Sequence, residues 1–269
     1  MTGYTTSIGN ADEASIQLLG HDLARDLLGQ VGFTELAFWL VAMRRPTPGE
    51  LRVFEAVLVA LADHGLTPSV IAARLTLTGA PESIQGALAA GLLGGGSRFL
   101  GVTEDAGRFL ASALADQVAA GVELPTSSQE WDELARAAVT TQRAAGRLVP
   151  GLGHPIHKHE DPRTPVLIRI SAEEGVQGPH LLLFEAIGRV HPQIIGRTLP
   201  LNGAGVCGAA LCDLGFDVDS LRGFALLART AGLLGHIAEE MRRPIGLQLY
   251  HDVDRATNYE PGDTTGPAT

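Results

Sequence analysis

Apolar residues recur at three- and four-residue spacing along most of the chain, which places them on one side of an α-helix. The clearest run is "PTPGELRVFEAVLVALADHG", where Leu51, Phe54, Leu58 and Leu61 form the stripe. Thr47 reads as its N-cap, Pro48 as the first helical residue and Glu50 as the capping-box partner. Gly65 suits the left-handed position after the end, so His64 is predicted at a helix C-terminus. Further helices are predicted from Thr67-Pro68 through "VIAARLTL", and over "PESIQGALAAGLL" up to Gly94-Gly95-Gly96. They continue over "VTEDAGRFLASALADQVAAG" and over "SSQEWDELARAAVTTQRAAG", which opens with a second capping box, Ser127 and Glu130. Two more fall near 164–175 and 179–189, and a long one runs from Asp219 to about Met241. Segment 201–215 is apolar and glycine-rich. Strand signals are confined to "TTSIGN" and "SIQLLG", a small N-terminal ribbon. The tail after Tyr259, "EPGDTTGPAT", is predicted to be disordered.

With 269 residues, the chain can build one large domain or two interleaved ones around a sizeable core. Its residues are 45% hydrophobic and 19% charged, an apolar surplus that fits a helical oligomer better than a monomer. The formal charge of −10 argues against nucleic acid as a partner. Cys207 and Cys212 lie in an apolar stretch and read as buried small hydrophobes rather than a disulfide framework. A secretory leader and a membrane span are both missing from the pattern, so a cytoplasmic protein with no membrane contact is expected. No strand–G-x-G-x-x-G–helix unit occurs, so neither flavin nor nicotinamide is expected.

The densest chemistry lies in "VPGLGHPIHKHEDPR", Val149 to Arg163. His154, His157 and His159 offer imidazoles at H-x-x-H-x-H spacing. Pro155 and a loop conformation keep two of them from sharing a helical face, so no metal is expected. G-x-G with no preceding strand and no following G-K-[ST] is a weak nucleotide signal. A solvated loop, whose histidines balance Glu160 and Asp161, also fits.

The same stretch resembles the G-x-G-H…D-P-R motif of the citrate synthase superfamily. "LADHGLTPSVIAARLTLTGA" resembles that family's D-H-…-S-T helix junction, and "LARTAGLLGHIAEE" and "RRPIGLQLY" resemble its closing segments. "LLGGGSRFLGVTEDA" looks most like the citryl-CoA lyase module of ATP-citrate lyases. Phe99 stands there where many synthases carry a histidine, which favours the lyase branch. The resemblance runs from about residue 20 to 252. It implies an all-α fold with large and small helical domains around a cleft. The small domain would be 106–220, flanked by 1–105 and 221–269 of the large one. It also implies a homo-oligomer, dimer or larger, a small-molecule carboxylate substrate and a coenzyme A thioester.

Position by position, the resemblance makes His64 the histidine that hydrogen-bonds the oxo or hydroxy acid; a plain cap on its own helix end is the alternative. A helix C-terminus favours a protonated imidazole there. His154 matches the G-x-G-H histidine on the substrate oxygen. Arg163 and Arg229 match carboxylate-binding arginines, whose guanidinium can grip a carboxylate with two parallel hydrogen bonds. Taken singly, each would read as a surface ion pair. Val149, Leu152 and Gly153 lie where the family loop meets the coenzyme A adenine, and Arg243 would face a carboxylate or a coenzyme A phosphate. In "LPLNGAGVCGAAL", Asn202 and Gly208 match the family's N-V-D-…-G, with Ala204 where the aspartate that moves the α-carbon proton should stand.

Losing a positioned acid–base typically costs ~10²–10⁴-fold. Asp213 is expected to face elsewhere; His157, His159 and His236 are the other candidates, and His236 also matches a structural position of the family. Three functions follow from the resemblance. The first is a citryl-CoA-lyase-like carbon–carbon lyase or its reverse, a condensing enzyme. The second keeps the fold with decarboxylative or coenzyme A-independent chemistry, and the third is a non-catalytic carboxylate-binding homologue.

Overall fold

A computed structural model describes residues 3–262. Most of the expected C-terminal tail lies outside the described residues, and 260–262 carry no regular structure. The N-terminal ribbon is present as three short antiparallel strands, β1 (Gly9–Ala11), β2 (Ile16–Leu18) and β3 (His21–Asp22). Asn10 faces Gln17, and Leu18 faces His21.

The rest is helical: α1 (Phe33–Ala42), α2 (Pro48–Ala62), α3 (Pro68–Gly79), α4 (Ile84–Leu93), α5 (Val102–Ala119) and α6 (Ser128–Ala144), then α7 (Arg163–Glu173), α8 (Pro179–Ile195), α9 (Gly203–Asp213), α10 (Leu221–Arg242) and α11 (Gly246–Ala256). Both predicted capping boxes form. The Thr47 amide donates to Glu50 at 2.8 Å and the Glu50 amide to the Thr47 hydroxyl at 3.3 Å. Ser127 and Glu130 close the same loop at α6. Gly65 takes the left-handed conformation expected of it, with φ +72°. Helices α1 and α11 are not among those the periodicity predicts, and 201–215 proves to be largely helix α9.

These elements form two compact units. The first comprises the described residues up to Ala62 together with Gly96–Ala228; the second comprises Asp63–Gly95 and the residues from Arg229 on. The span 106–220 lies wholly within the first unit.

Helix α9 is the hub of the first unit and packs against α2, α5, α7 and α8. Every residue from Gly205 to Cys212 is buried, as expected of a helix that is apolar all round. Its glycines let backbones approach. A Cβ on Gly208 would overlap the Thr103 carbonyl of α5, and one on Gly205 would stand 2.6 Å from Gly151 Cα. Beside it Phe38, Phe54, Phe216 and Phe224 interlock, with ring centroids 4.4–5.5 Å apart. In the second unit Val70 and Ala73 of α3 close on Leu233, while Leu77 and Ala87 close on Ile237.

Candidate active site

In the first unit, the loop between α6 and α7 is zipped to the segment that enters α9. Leu152 and Leu201 form a single antiparallel bridge. The Gly153 amide donates to Pro200, and the Asn202 amide donates to Gly151, both at 2.8 Å. The glycine pair of the G-x-G motif has a backbone cause, since Gly151 and Gly153 both take positive φ, +83° and +85°, where other residues are strained. Asn202 ties the two segments from both ends of its amide: Nδ2 donates to Gly153 O and Oδ1 caps the Gly205 amide, each at 2.8 Å. It is thereby the N-cap of α9, with Ala204 in the first helical turn.

His154 closes a tight turn on itself. Its Nδ1 accepts the amides of Ile156 at 3.1 Å and His157 at 3.0 Å. A nitrogen that accepts two amide hydrogens carries no proton, so the neutral ring holds its hydrogen on Nε2. His157 lies over that ring with centroids 4.4 Å apart. His159 is exposed.

Nine residues on, Arg163 opens α7. Nε and Nη2 grip the Asp161 carboxylate at 2.9 and 2.7 Å, and Nη1 donates to the Ala60 carbonyl at 3.1 Å. Asp161 is fully buried, with 0% exposure, and also accepts the Gly203 amide at 2.7 Å. Burial pushes its carboxyl up, but the Arg163 fork and that amide outweigh it and hold the group well below the usual carboxylate range. Asp161 is therefore ionised at neutral pH, with both oxygens engaged by Arg163 and the Gly203 amide. Gly203 makes the arrangement possible, because a Cβ there would overlap the Arg163 guanidinium.

Of the proposed coenzyme contacts, the Val149 side chain is buried in the main core and Leu152 packs against that core. Both cysteines of α9 are buried and without a disulfide. Burial pushes each thiol up to about 12. The Asp213 carboxylate holds the first turn of α8, accepting the amides of Gly178, His180 and Leu181, each at 2.9 Å, and the His180 ring at 2.8 Å.

The second unit carries His64 and Arg229 on neighbouring elements. His64 lies in the turn between α2 and α3, and that turn is fastened to α10 at both ends. Asp63 Oδ1 meets His236 Nε2 at 2.9 Å, and Arg229 Nη1 reaches the Thr67 hydroxyl at 3.5 Å. Arg229 is buried. Arg243 is exposed just beyond α10. Behind His236 sits a buried ion pair of Arg74 with Glu240 at 3.0 Å, and Arg74 also meets the half-exposed Glu239. Two of the carboxylates that hold these turns carry a signal in the sequence: Asp161 is the acid of D-P-R, and Asp63 directly precedes His64.

The sequence profile of the citrate synthase C-terminal domain matches residues 7–246. The chain belongs to the citrate synthase family. Within that family it is similar to the citryl-CoA lyase of Hydrogenobacter thermophilus, with 28% identity and a TM-score of 0.82 over 98% of this chain and 97% of that one. ATP citrate lyase of Methanothrix soehngenii, solved with citrate and coenzyme A, shares the fold at a TM-score of 0.79 and 23% identity. That likeness covers all of this chain and 44% of the other. A probable ATP-citrate synthase of Dictyostelium discoideum is 25% identical over 78% of this chain and 34% of its own length. The chain thus spans about a third of that curated relative.

Proposed function

We propose that this chain cleaves a carboxylated hydroxyacyl-CoA thioester of the citryl-CoA type into an oxo acid and an acyl-CoA, or runs the reverse condensation. The observation that carries this is the likeness to the Hydrogenobacter thermophilus lyase, which extends over nearly the full length of both chains. In the cleavage direction the neutral form of His64 takes the hydroxyl proton, the bond between the carbinol carbon and the thioester α-carbon breaks, and its electron pair passes to the thioester enolate. His154, held in its Nε2–H form, donates to the developing oxo oxygen. Arg229 holds the carboxylated end together with the second hydrogens of the Arg163 terminal nitrogens and of Asn202 Nδ2, beyond those given to Asp161, Ala60 and Gly153, with Arg243 at a further carboxylate or phosphate. Val149, Leu152 and Gly153 line the coenzyme A adenine, Val149 through its backbone.

Ala204 stands in this reading at the family's aspartate, so the enolate is protonated by water. Citryl-CoA supplied to the purified chain, with oxaloacetate read by a coupled reductase, is expected to turn over; His64→Ala and His154→Ala each lower kcat by ~10²–10⁴-fold. No oxaloacetate from citryl-CoA, and no citryl-CoA from oxaloacetate and acetyl-CoA, would sink the reading.

A second reading rests on Ala204 in the first turn of α9, whose methyl group exchanges no proton, and on Asp161, whose two oxygens are already engaged by Arg163 and the Gly203 amide. With no acid there to exchange protons, the enolate arises by decarboxylation of a malonyl-type thioester, or the substrate carries no coenzyme A. Carbon dioxide release from malonyl-CoA in the presence of an oxo acid separates it from the first. Calorimetric binding of citrate with no turnover of any of these would leave a carboxylate-binding protein.

A further inference from the structure

The turn that bears His64 is held by a continuous polar chain that crosses the second unit. Asp63 directly precedes His64, and its Oδ2 accepts the Gly65 amide at 2.8 Å. The side chain of the residue before His64 is therefore bonded to the amide of the residue after it, which holds the His64 backbone between the two. The other Asp63 oxygen meets His236 Nε2, and His236 Nδ1 lies 3.0 Å from Arg74 Nη2. A guanidinium only donates, so Nδ1 must accept and the His236 hydrogen must sit on Nε2, aimed at Asp63. Arg74 is 2% exposed and is pinned in turn by Glu240, 4% exposed. The second oxygen of Glu240 accepts the Ile245 and Gly246 amides at the start of α11, at 2.9 and 2.7 Å.

We infer that His236 is a positioning residue for His64, its tautomer set by Arg74 so that its Nε2–H fixes Asp63 and, through Asp63, the backbone that carries the His64 ring. The inference rests on the role given to His64 above. His236 is thereby removed from the candidates that replace an acid at Ala204, because both its nitrogens are engaged inside the second unit. Glu240 adds a structural duty at α11, so the distinguishing step lies at the His236–Asp63 contact rather than at Arg74.

Three variants of the full chain test it. His236→Phe removes both hydrogen bonds, His236→Gln keeps a polar end for Asp63, and Asp63→Asn keeps the shape and removes the charge. Two readouts are taken: ring ¹⁵N–¹H correlation spectra of the histidines, and kcat and KM for citryl-CoA. In the wild-type chain His236 is expected as the Nε2–H tautomer. His236→Phe shifts the His64 ring resonances and lowers kcat by about 10²-fold with KM near the wild-type value, and His236→Gln recovers most of that loss. A His236 ring protonated on Nδ1 would overturn the inference, as would a Phe variant whose His64 resonances stay in place. If His236→Phe does not fold, Asp63→Asn must shift the same His64 resonances, or the inference falls. A wild-type chain that cleaves no citryl-CoA defeats the proposed function, while the spectra still decide whether His236 positions His64.

Discussion

Gly203 and Asp161 define the α9 entrance at the scale of single residues. Any side chain at 203 would occupy the space of the Arg163 guanidinium, whose fork neutralises a fully buried carboxylate. Gly203→Val is therefore expected to leave Asp161 buried without its partner. Such a break costs about 3 kcal/mol, read as a drop in the thermal midpoint. A Val variant with an unchanged midpoint would mean that the fork is not holding this turn. The cysteines offer a second check at this scale. Burial raises both thiols to about 12, so few thiolates exist near pH 8. Iodoacetamide should leave Cys207 and Cys212 unmodified in the native chain and alkylate both in urea, as counted by mass spectrometry.

Helix α9 is assembled against its own composition. Glycine costs about 1 kcal/mol in a helix interior relative to alanine, yet α9 holds Gly205 and Gly208 because its neighbours come too close for a methyl group. Gly208→Ala should improve the local propensity and still destabilise the protein. Pushing the Thr103 carbonyl of α5 away costs about 1–3 kcal/mol. The expected signature is a lower urea midpoint at an unchanged slope. An increase in stability would show that α5 and α9 can separate freely.

Several carboxylates across the molecule are ionised inside bonded networks. Asp161 lies in the first unit, and Asp63 and Glu240 in the second. In each, burial alone would raise the carboxyl, but amide, arginine or histidine donors bring it below its ordinary value. A depressed folded-state value contributes stability above the ordinary carboxylate range, and that stability is lost as pH falls through the folded value. The thermal midpoint should therefore hold from neutrality down to about pH 5 and fall below about pH 4. Asp161→Asn should make that acid limb shallower. Leu247, Tyr250 and Val253 are exposed on α11, as are Phe33 and Val41 on α1. With the oligomer that the family resemblance implies, light scattering is expected to give at least twice the 28.2 kDa of one chain. A monomeric mass at micromolar concentration would remove that expectation.

By itself the sequence determined the local structure. Capping residues and helical stripes located α2, α3, α5, α6 and α10, because those signals depend on neighbours a few positions away. Ordered motifs carried the family. The tertiary structure decided what local signals cannot encode. Segment 201–215 is largely helix because other backbones close around its glycines. Arg163 binds Asp161 because Gly203 leaves the space, and the tautomer of His236 follows from Arg74, a distant residue brought up by folding. A hydrogen's place on an imidazole depends on which groups approach each nitrogen, and that approach exists only once the chain has packed.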